Sequence, residues 1–165
     1  MVCLPQTTRD RPDAATARRW IEALPDPEIP VLTLGDLGVI RDVAWEDGRL
    51  VVTVAPTYSG CPATAFINLE IANALRARGI AEPVLKTSLS PAWTSDWIGA
   101  EGRRKLEQYG IAPPLRGRDG REVSPACPRC GSAATRQLSR FGSTPCKASW
   151  VCGSCLEPFE LFKCH

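Results

Sequence analysis

The chain has 165 residues, with 20 lysines and arginines against 18 aspartates and glutamates, and 44% of its side chains are apolar. That length allows one domain of about 100 residues plus a small appendage, and the composition is that of an ordinary globular protein. The net charge of +2 hides a mildly acidic front (9 basic and 12 acidic side chains in 1–100) and a mildly basic tail (11 and 6 in 101–165). This is too weak for a dedicated nucleic-acid surface, which clusters its charge, so no nucleic-acid partner is expected.

The opening Met1-Val2-Cys3-Leu4-Pro5 has neither a basic n-region nor an apolar h-region, so no signal peptide is expected. No apolar run reaches the length of a membrane span, so no membrane partner is expected and the expected compartment is a reducing cytoplasm. Asp13 can cap a helix from Ala14 to Leu24, with Trp20, Ile21 and Leu24 on one face and Pro25 as its stop. Asp26-Pro27-Glu28-Ile29-Pro30 can be neither helix nor central strand, because its prolines fix φ and remove amide donors. Val39–Trp45 and Leu50–Ala55, joined by Glu46-Asp47-Gly48-Arg49, predict a β-hairpin.

The hairpin empties into Pro56-Thr57-Tyr58-Ser59-Gly60-Cys61-Pro62. Ala63–Arg78 then predicts a helix with a broad apolar face, Pro62 in its first turn and Gly79 at its stop. Cys61 falls at or just before that helix N-terminus, where the backbone dipole favours a thiolate. It is either a metal-binding or nucleophilic thiol or a small buried hydrophobe, and position alone leaves both open. Pro83–Leu89 predicts a third strand, and Ser95 is the expected cap of a last helix through Tyr109, with Trp93 and Trp97 covering the sheet. Arg116–Glu122 is charged and contains glycine, which reads as a linker before the tail.

The tail carries the strongest signal. Cys127-Pro128-Arg129-Cys130-Gly131 and Cys152-Gly153-Ser154-Cys155 are two CxxC knuckles in series. Each puts two sulfurs on one side, so that together Cys127, Cys130, Cys152 and Cys155 offer four thiolates at zinc-ribbon spacing; two disulfides are the bland alternative. Thr135–Phe141 and Ser149–Cys152 are the candidate strands between the knuckles. So short a segment rarely folds on its apolar residues alone, and a structural zinc would make up the deficit. Arg129, Arg140 and Lys147 are close enough in sequence to offset the charge of a four-thiolate centre. Arg140, Phe141, Lys147 and the Phe159–Phe162 edge are expected to form a basic and aromatic docking patch. Cys146 and Cys164 are surplus to the ribbon. They stay open as second ligands, core thiols or partners in an iron–sulfur site.

Three stretches together resemble a known family: Asp26-Pro27-Glu28-Ile29-Pro30, Gly35-Asp36-Leu37-Gly38-Val39-Ile40, and Thr57-Tyr58-Ser59-Gly60-Cys61-Pro62. They are similar to the SufT-like iron–sulfur-assembly domain. The tail, with Phe141-Gly142-Ser143-Thr144, Cys146-Lys147-Ala148, Glu157-Pro158-Phe159 and Phe162-Lys163-Cys164, resembles its PaaD (PaaJ) branch, associated with the ring-1,2-phenylacetyl-CoA epoxidase system. The resemblance implies an α+β fold, a small sheet with helices packed against it, followed by a C-terminal zinc-ribbon-like β module. The expected division is 1–112 for the assembly-like domain, 113–126 for the linker and 127–165 for the ribbon.

By the same resemblance Cys61 and Asp36 are the functional thiol and its partner, and the ribbon cysteines hold the metal. The cofactor is zinc, with an iron–sulfur cluster or transient iron left open. The implied partners are the oxygenase or reductase subunits of the epoxidase, with a homodimer also open. The chain lacks the carboxylate and Glu-x-x-His sets of a di-iron enzyme. It also lacks the glycine-rich fingerprint of a Rossmann site. The expectation is therefore a non-catalytic accessory component. A small iron–sulfur electron-transfer protein and a nucleic-acid-binding ribbon are the alternatives.

Overall fold

The computed structural model describes residues 11–116 and 123–165. Cys3 and most of the charged linker, 117–122, lie outside the described residues. Asp13 caps the first helix, α1 (Ala14–Glu22), by accepting a hydrogen bond from the Thr16 amide at 2.6 Å. After the proline-rich turn comes one short helical turn, α2 (Leu34–Leu37). It is closed by a reciprocal capping box between Thr33 and Asp36 and ended by Gly38 at φ 65°. A side chain at Gly38 would meet the Trp97 carbonyl at 2.9 Å, so this position needs glycine on both conformational and steric grounds.

The expected hairpin forms from β1 (Ile40–Glu46) and β2 (Arg49–Val54), antiparallel, with Trp45 opposite Leu50. Asp47 and Gly48 both take positive φ (46° and 80°), the two-residue turn that matches the twist of the strands. Helix α3 (Thr64–Arg76) crosses over to β3 (Val84–Thr87), which pairs parallel with β2. The front sheet therefore runs β1-β2-β3. Ile21, Leu50, Val52, Ile71 and Leu75 fill the layer between that sheet and helices α1 and α3.

Two element starts differ from expectation. Helix α3 begins at Thr64 with Ala63 as its cap residue, so Pro62 precedes the helix. The Tyr58 carbonyl accepts from the Cys61 amide and the Cys61 carbonyl from the Thr64 amide, making a turn in which Pro62 has no helical place. The helix expected from Ser95 is broken. Thr94 takes the cap of a short 3-10 turn (Ser95–Trp97), Ile98 runs extended into the core, and α4 spans Ala100–Tyr109. Arg103 stitches the break by donating to the carbonyls of Ile98, Ser95 and Pro114. Trp93 is buried as expected, its indole donating to the Leu37 carbonyl at 2.8 Å.

The tail strands are β5 (Thr135–Ser139), β6 (Lys147–Cys152) and β7 (Pro158–Phe162), an antiparallel meander. Its free edge is taken by β4 (Ile111–Ala112), which pairs parallel with β7, giving the order β4-β7-β6-β5. Strand alternation separates the two cores. Phe159 and Leu161 pack with Trp150, Ala148 and Cys152 in the tail, whereas Phe162 and Cys146 belong to the front core. The structure thus has the α+β front and C-terminal β ribbon that the resemblance implies, and it docks the ribbon on the front through its last strand.

Candidate functional site

Each knuckle builds its sulfur site from backbone. In the first, the Cys127 carbonyl accepts from the Gly131 amide at 2.8 Å, with Gly131 at φ 73° as its spacing demands. In the second, the amides of Ser154 and Cys155 reach the Cys152 sulfur at 3.3 and 3.5 Å. These amides, that of Cys155 foremost, pull the Cys152 thiol down to about 6. A hydrogen bond between Ser132 Oγ and Ser154 Oγ, 2.7 Å, ties one knuckle to the other. The result brings all four sulfurs within 4.8 Å of one another, with Cys127 and Cys155 at 3.7 Å and Cys130 and Cys152 at 3.6 Å.

Four thiolates bonded to one zinc at about 2.3 Å would lie about 3.8 Å apart, the edge of the tetrahedron. The donor set and spacing therefore fit such an ion, and no disulfide joins any of the seven described cysteines. Arg129, expected near the thiolates, is ion-paired with Glu157. Lys147 is not available to them. It is 5% exposed and committed to Glu160 at 2.7 Å.

That burial also dissolves the expected docking patch. Arg140 and Phe141 are exposed, but Lys147, Phe159, Leu161 and Phe162 are inside, because β7 is paired on both sides and turns its apolar residues to the two cores.

A second concentration of chemistry lies where the tail meets the front. A cavity of about 20 Å³, room for roughly one water, is lined by Cys61, Glu28, Asp26 and Cys146 among apolar side chains that include Ile67 and Phe162. Asp26 accepts from the amides of Ile29 and Glu28 at 2.8 and 2.9 Å, which shapes the proline-rich turn. Cys146, 118 residues along the chain from Glu28, donates its thiol to Glu28 Oε2 at 3.7 Å and lies 3.0 Å from Thr144 Oγ1. Burial pushes the Cys146 thiol up to about 11. It also holds both carboxyls above their usual range, with Asp26 adding to the effect on Glu28. Tyr58 borders the same region, and the His165 ring stacks on it at 6.1 Å.

Asp36 is placed differently from Cys61. Its carboxylate accepts from the Thr33 amide at 2.9 Å and pairs with Lys105 at 2.7 Å, and it does not line the cavity. Burial raises its pKa, but the hydrogen bonds from Lys105 and Thr33 outweigh that and leave it below the usual range. Cys164 donates to the Leu115 carbonyl at 3.5 Å, in neither the ribbon set nor the cavity. Sequence reading missed Glu28, Asp26 and the placement of Cys146. The prolines marked the Asp26–Pro30 turn as special, but no local pattern connects it with a thiol in the tail.

Residues 112–163 match the family model of the PaaD zinc beta ribbon domain, and residues 15–82 match that of the iron-sulfur cluster assembly protein family. An Escherichia coli (strain K12) protein, provisionally named as one of the subunits of 1,2-phenylacetyl-CoA epoxidase, is 44% identical over 146 residues, covering 87% of this chain and 88% of that protein. The chain belongs to the PaaD family. Within this PaaD chain, the assembly match contains Asp26, Glu28, Asp36 and Cys61, and the ribbon match contains Cys146 and all four knuckle cysteines. A Porphyromonas gingivalis protein named Fe-S protein maturation auxiliary factor is 31% identical over 90 residues, 53% of this chain and 85% of that protein. A crystal structure of a Domain of Unknown Function DUF59 from Bacillus anthracis superposes with a TM-score of 0.51 at 24% identity, covering 56% of this chain and 90% of that one. That likeness bears on the fold of the front alone.

Proposed function

We propose that this chain is a non-catalytic accessory protein of a multicomponent phenylacetyl-CoA epoxidase, acting in the maturation of its metal centre. The observation that carries the reading is the fusion itself: an assembly-family front whose cavity holds Cys61, closed by a four-cysteine ribbon that contributes Cys146 to the same cavity. The names of the Escherichia coli and Porphyromonas gingivalis relatives support the system and the role. In this reading the parts 1–112 and 127–165 act as one unit in a reducing compartment, where ligand thiols persist.

Cys127, Cys130, Cys152 and Cys155 would hold zinc in the ribbon, where an ion bound by all four thiolates would supply a structural cross-link between the knuckles. The chain's own residues do the rest. The knuckle amides hold the Cys152 sulfur, the docked ribbon walls the cavity, and the turn from Pro56 to Pro62 presents the Cys61 thiol at its edge.

The test is to produce the oxygenase and reductase subunits with and without this chain, then measure bound iron and epoxidation of phenylacetyl-CoA. Both should rise with the chain present. A Cys61→Ala chain should fold and load zinc normally yet give no rise. Equal iron and equal activity in all preparations would sink the maturation reading.

A further inference from the structure

Among the described residues, sulfur and carboxylate donors also gather away from the ribbon knuckles, in the cavity at the seam. We propose that Cys61, Cys146 and Glu28 form a second, transient metal site there, for a single thiophilic divalent ion passed through the protein rather than kept. Three observations carry it.

The first is donor chemistry. Two thiols and a carboxylate lining one cavity make a set suited to Fe²⁺, Co²⁺ or Zn²⁺ and poorly suited to Mg²⁺ or Ca²⁺, which take oxygen ligands. The second is charge. Asp26 and Glu28 both face the cavity, and the nearest cation on the tail strand packed against it, Lys147, is already paired with Glu160 at 2.7 Å. An entering divalent cation would supply the missing countercharge, and on binding each thiol would release its proton to solvent. The third is size. A cavity of about 20 Å³ has room for roughly one water-sized body, which selects one ion over a cluster of several metals and sulfides.

The site is only partly assembled. Cys146 and Glu28 already touch, with 3.7 Å between sulfur and oxygen, whereas the four ribbon sulfurs alone, among the described residues, meet the geometry of a closed set. The third donor is on the turn from Pro56 to Pro62, outside any helix or strand, where even a side chain added at Gly60 would meet nothing closer than the Tyr58 ring at 3.7 Å. Bringing Cys61 in is therefore a movement of one turn, and reversing it releases the ion. A resident cofactor would gain from a complete cage; a carried ion needs a cage that opens. Because Cys61 comes from the front and Cys146 from the tail, occupancy also requires the ribbon to be docked.

The purpose assigned to the site rests on the maturation reading, but its existence does not. Purified chain carrying one zinc should be titrated anaerobically with Co²⁺ alone, following thiolate-to-cobalt charge-transfer absorption and released zinc. One further equivalent should bind with that absorption and without zinc release. Cys61→Ser and Cys146→Ser should each lose the band, Glu28→Gln should weaken binding about tenfold or more, and Cys164→Ser should behave as wild type. Should Cys146→Ser fold poorly, alkylation decides: Co²⁺ should slow modification of the half-buried Cys61 in wild type, and about tenfold more Co²⁺ should be needed for the same protection in Glu28→Gln. No band in the wild type, a band that survives both serine substitutions, or one equivalent of zinc released for each cobalt bound would overturn the proposal. Unchanged iron in the co-production experiment, with cobalt binding intact, would instead strike only the maturation reading.

Discussion

At the scale of single residues, Asp36 and Cys61 stand in different surroundings, the carboxylate in a capped ion pair and the thiol at the cavity. Asp36 is almost fully enclosed (11% side-chain exposure), completes the Thr33 capping box and pairs with Lys105. Asp36→Asn keeps the shape but leaves Lys105 partly buried without its countercharge, so stability should fall by about 1–3 kcal/mol. The measurement is the denaturant midpoint at unchanged m-value. Its folded pKa lies below the ordinary carboxylate value. Its contribution is therefore whole above the unfolded pKa and is lost as pH falls through the folded one. The difference between wild type and Asp36→Asn should accordingly be fully present near about pH 7 and shrink only below about pH 4. Zinc loss in acid strikes both proteins alike and drops out of that difference. A variant of unchanged stability that fails to support iron loading would give Asp36 the functional role that the family resemblance implies. Cys61 was legible as a special residue because a thiol between glycine and proline just ahead of a helix is an unusual local arrangement. Its neighbours were not, since burial of Glu28 and Asp26 depends on a tail more than 100 residues away.

At the scale of elements, legibility followed how local the determinant is. The hairpin announced itself through Asp47-Gly48 between apolar runs, and the ribbon through two CxxC spacings. The β7 strand was missed because it opens on a proline and is only five residues long, with Glu160 standing between apolar residues that the fold divides between two cores. The same strand explains why Lys147 looked like a surface cation and is an interior one. Diagonally across the β6–β7 pairing, Glu160 accepts from Lys147 at 2.7 Å and from the Ser143 amide and hydroxyl at 2.5 and 3.1 Å. Removing one member of such a pair strands the other charge, whereas removing both need not. Lys147→Met should therefore destabilise the protein by about 2–4 kcal/mol, the low side for buried pairs because Glu160 keeps 25% of its side-chain surface. The double change Lys147→Met with Glu160→Met should recover most of the loss. Additive losses in the two single variants and the double would show that the pair is not coupled and that the packing of the methylene stem is what matters.

At the scale of the whole molecule, the ribbon completes the front instead of hanging from it. Ile111–Ala112 leave the last front helix and enter the ribbon sheet beside β7, and the Ser95 amide donates to the His165 carbonyl at 3.3 Å. Phe162, 1% exposed, fills the front core beside Trp93 and forms part of the cavity wall with Cys146. None of this was readable from composition or spacing, because packing between two parts of a chain leaves no periodic trace in either. It has a consequence for metal removal. A tethered appendage would unfold alone when zinc is chelated, leaving hydrogen exchange in the front unchanged. A docked one takes with it the apolar surface that Phe162 covers, at about 3–5 kcal/mol for a fully buried aromatic. Chelation should therefore raise exchange in β6 and β7 and also around Val39, Ala55 and the start of α3, which share the cavity or core with Phe162. Phe162→Ala, with zinc still bound, should reproduce the front half of that pattern and lower overall stability by the same few kcal/mol. If chelation deprotects only the ribbon and Phe162→Ala leaves the front untouched, the seam is a contact without energetic weight. The two parts would then act separately.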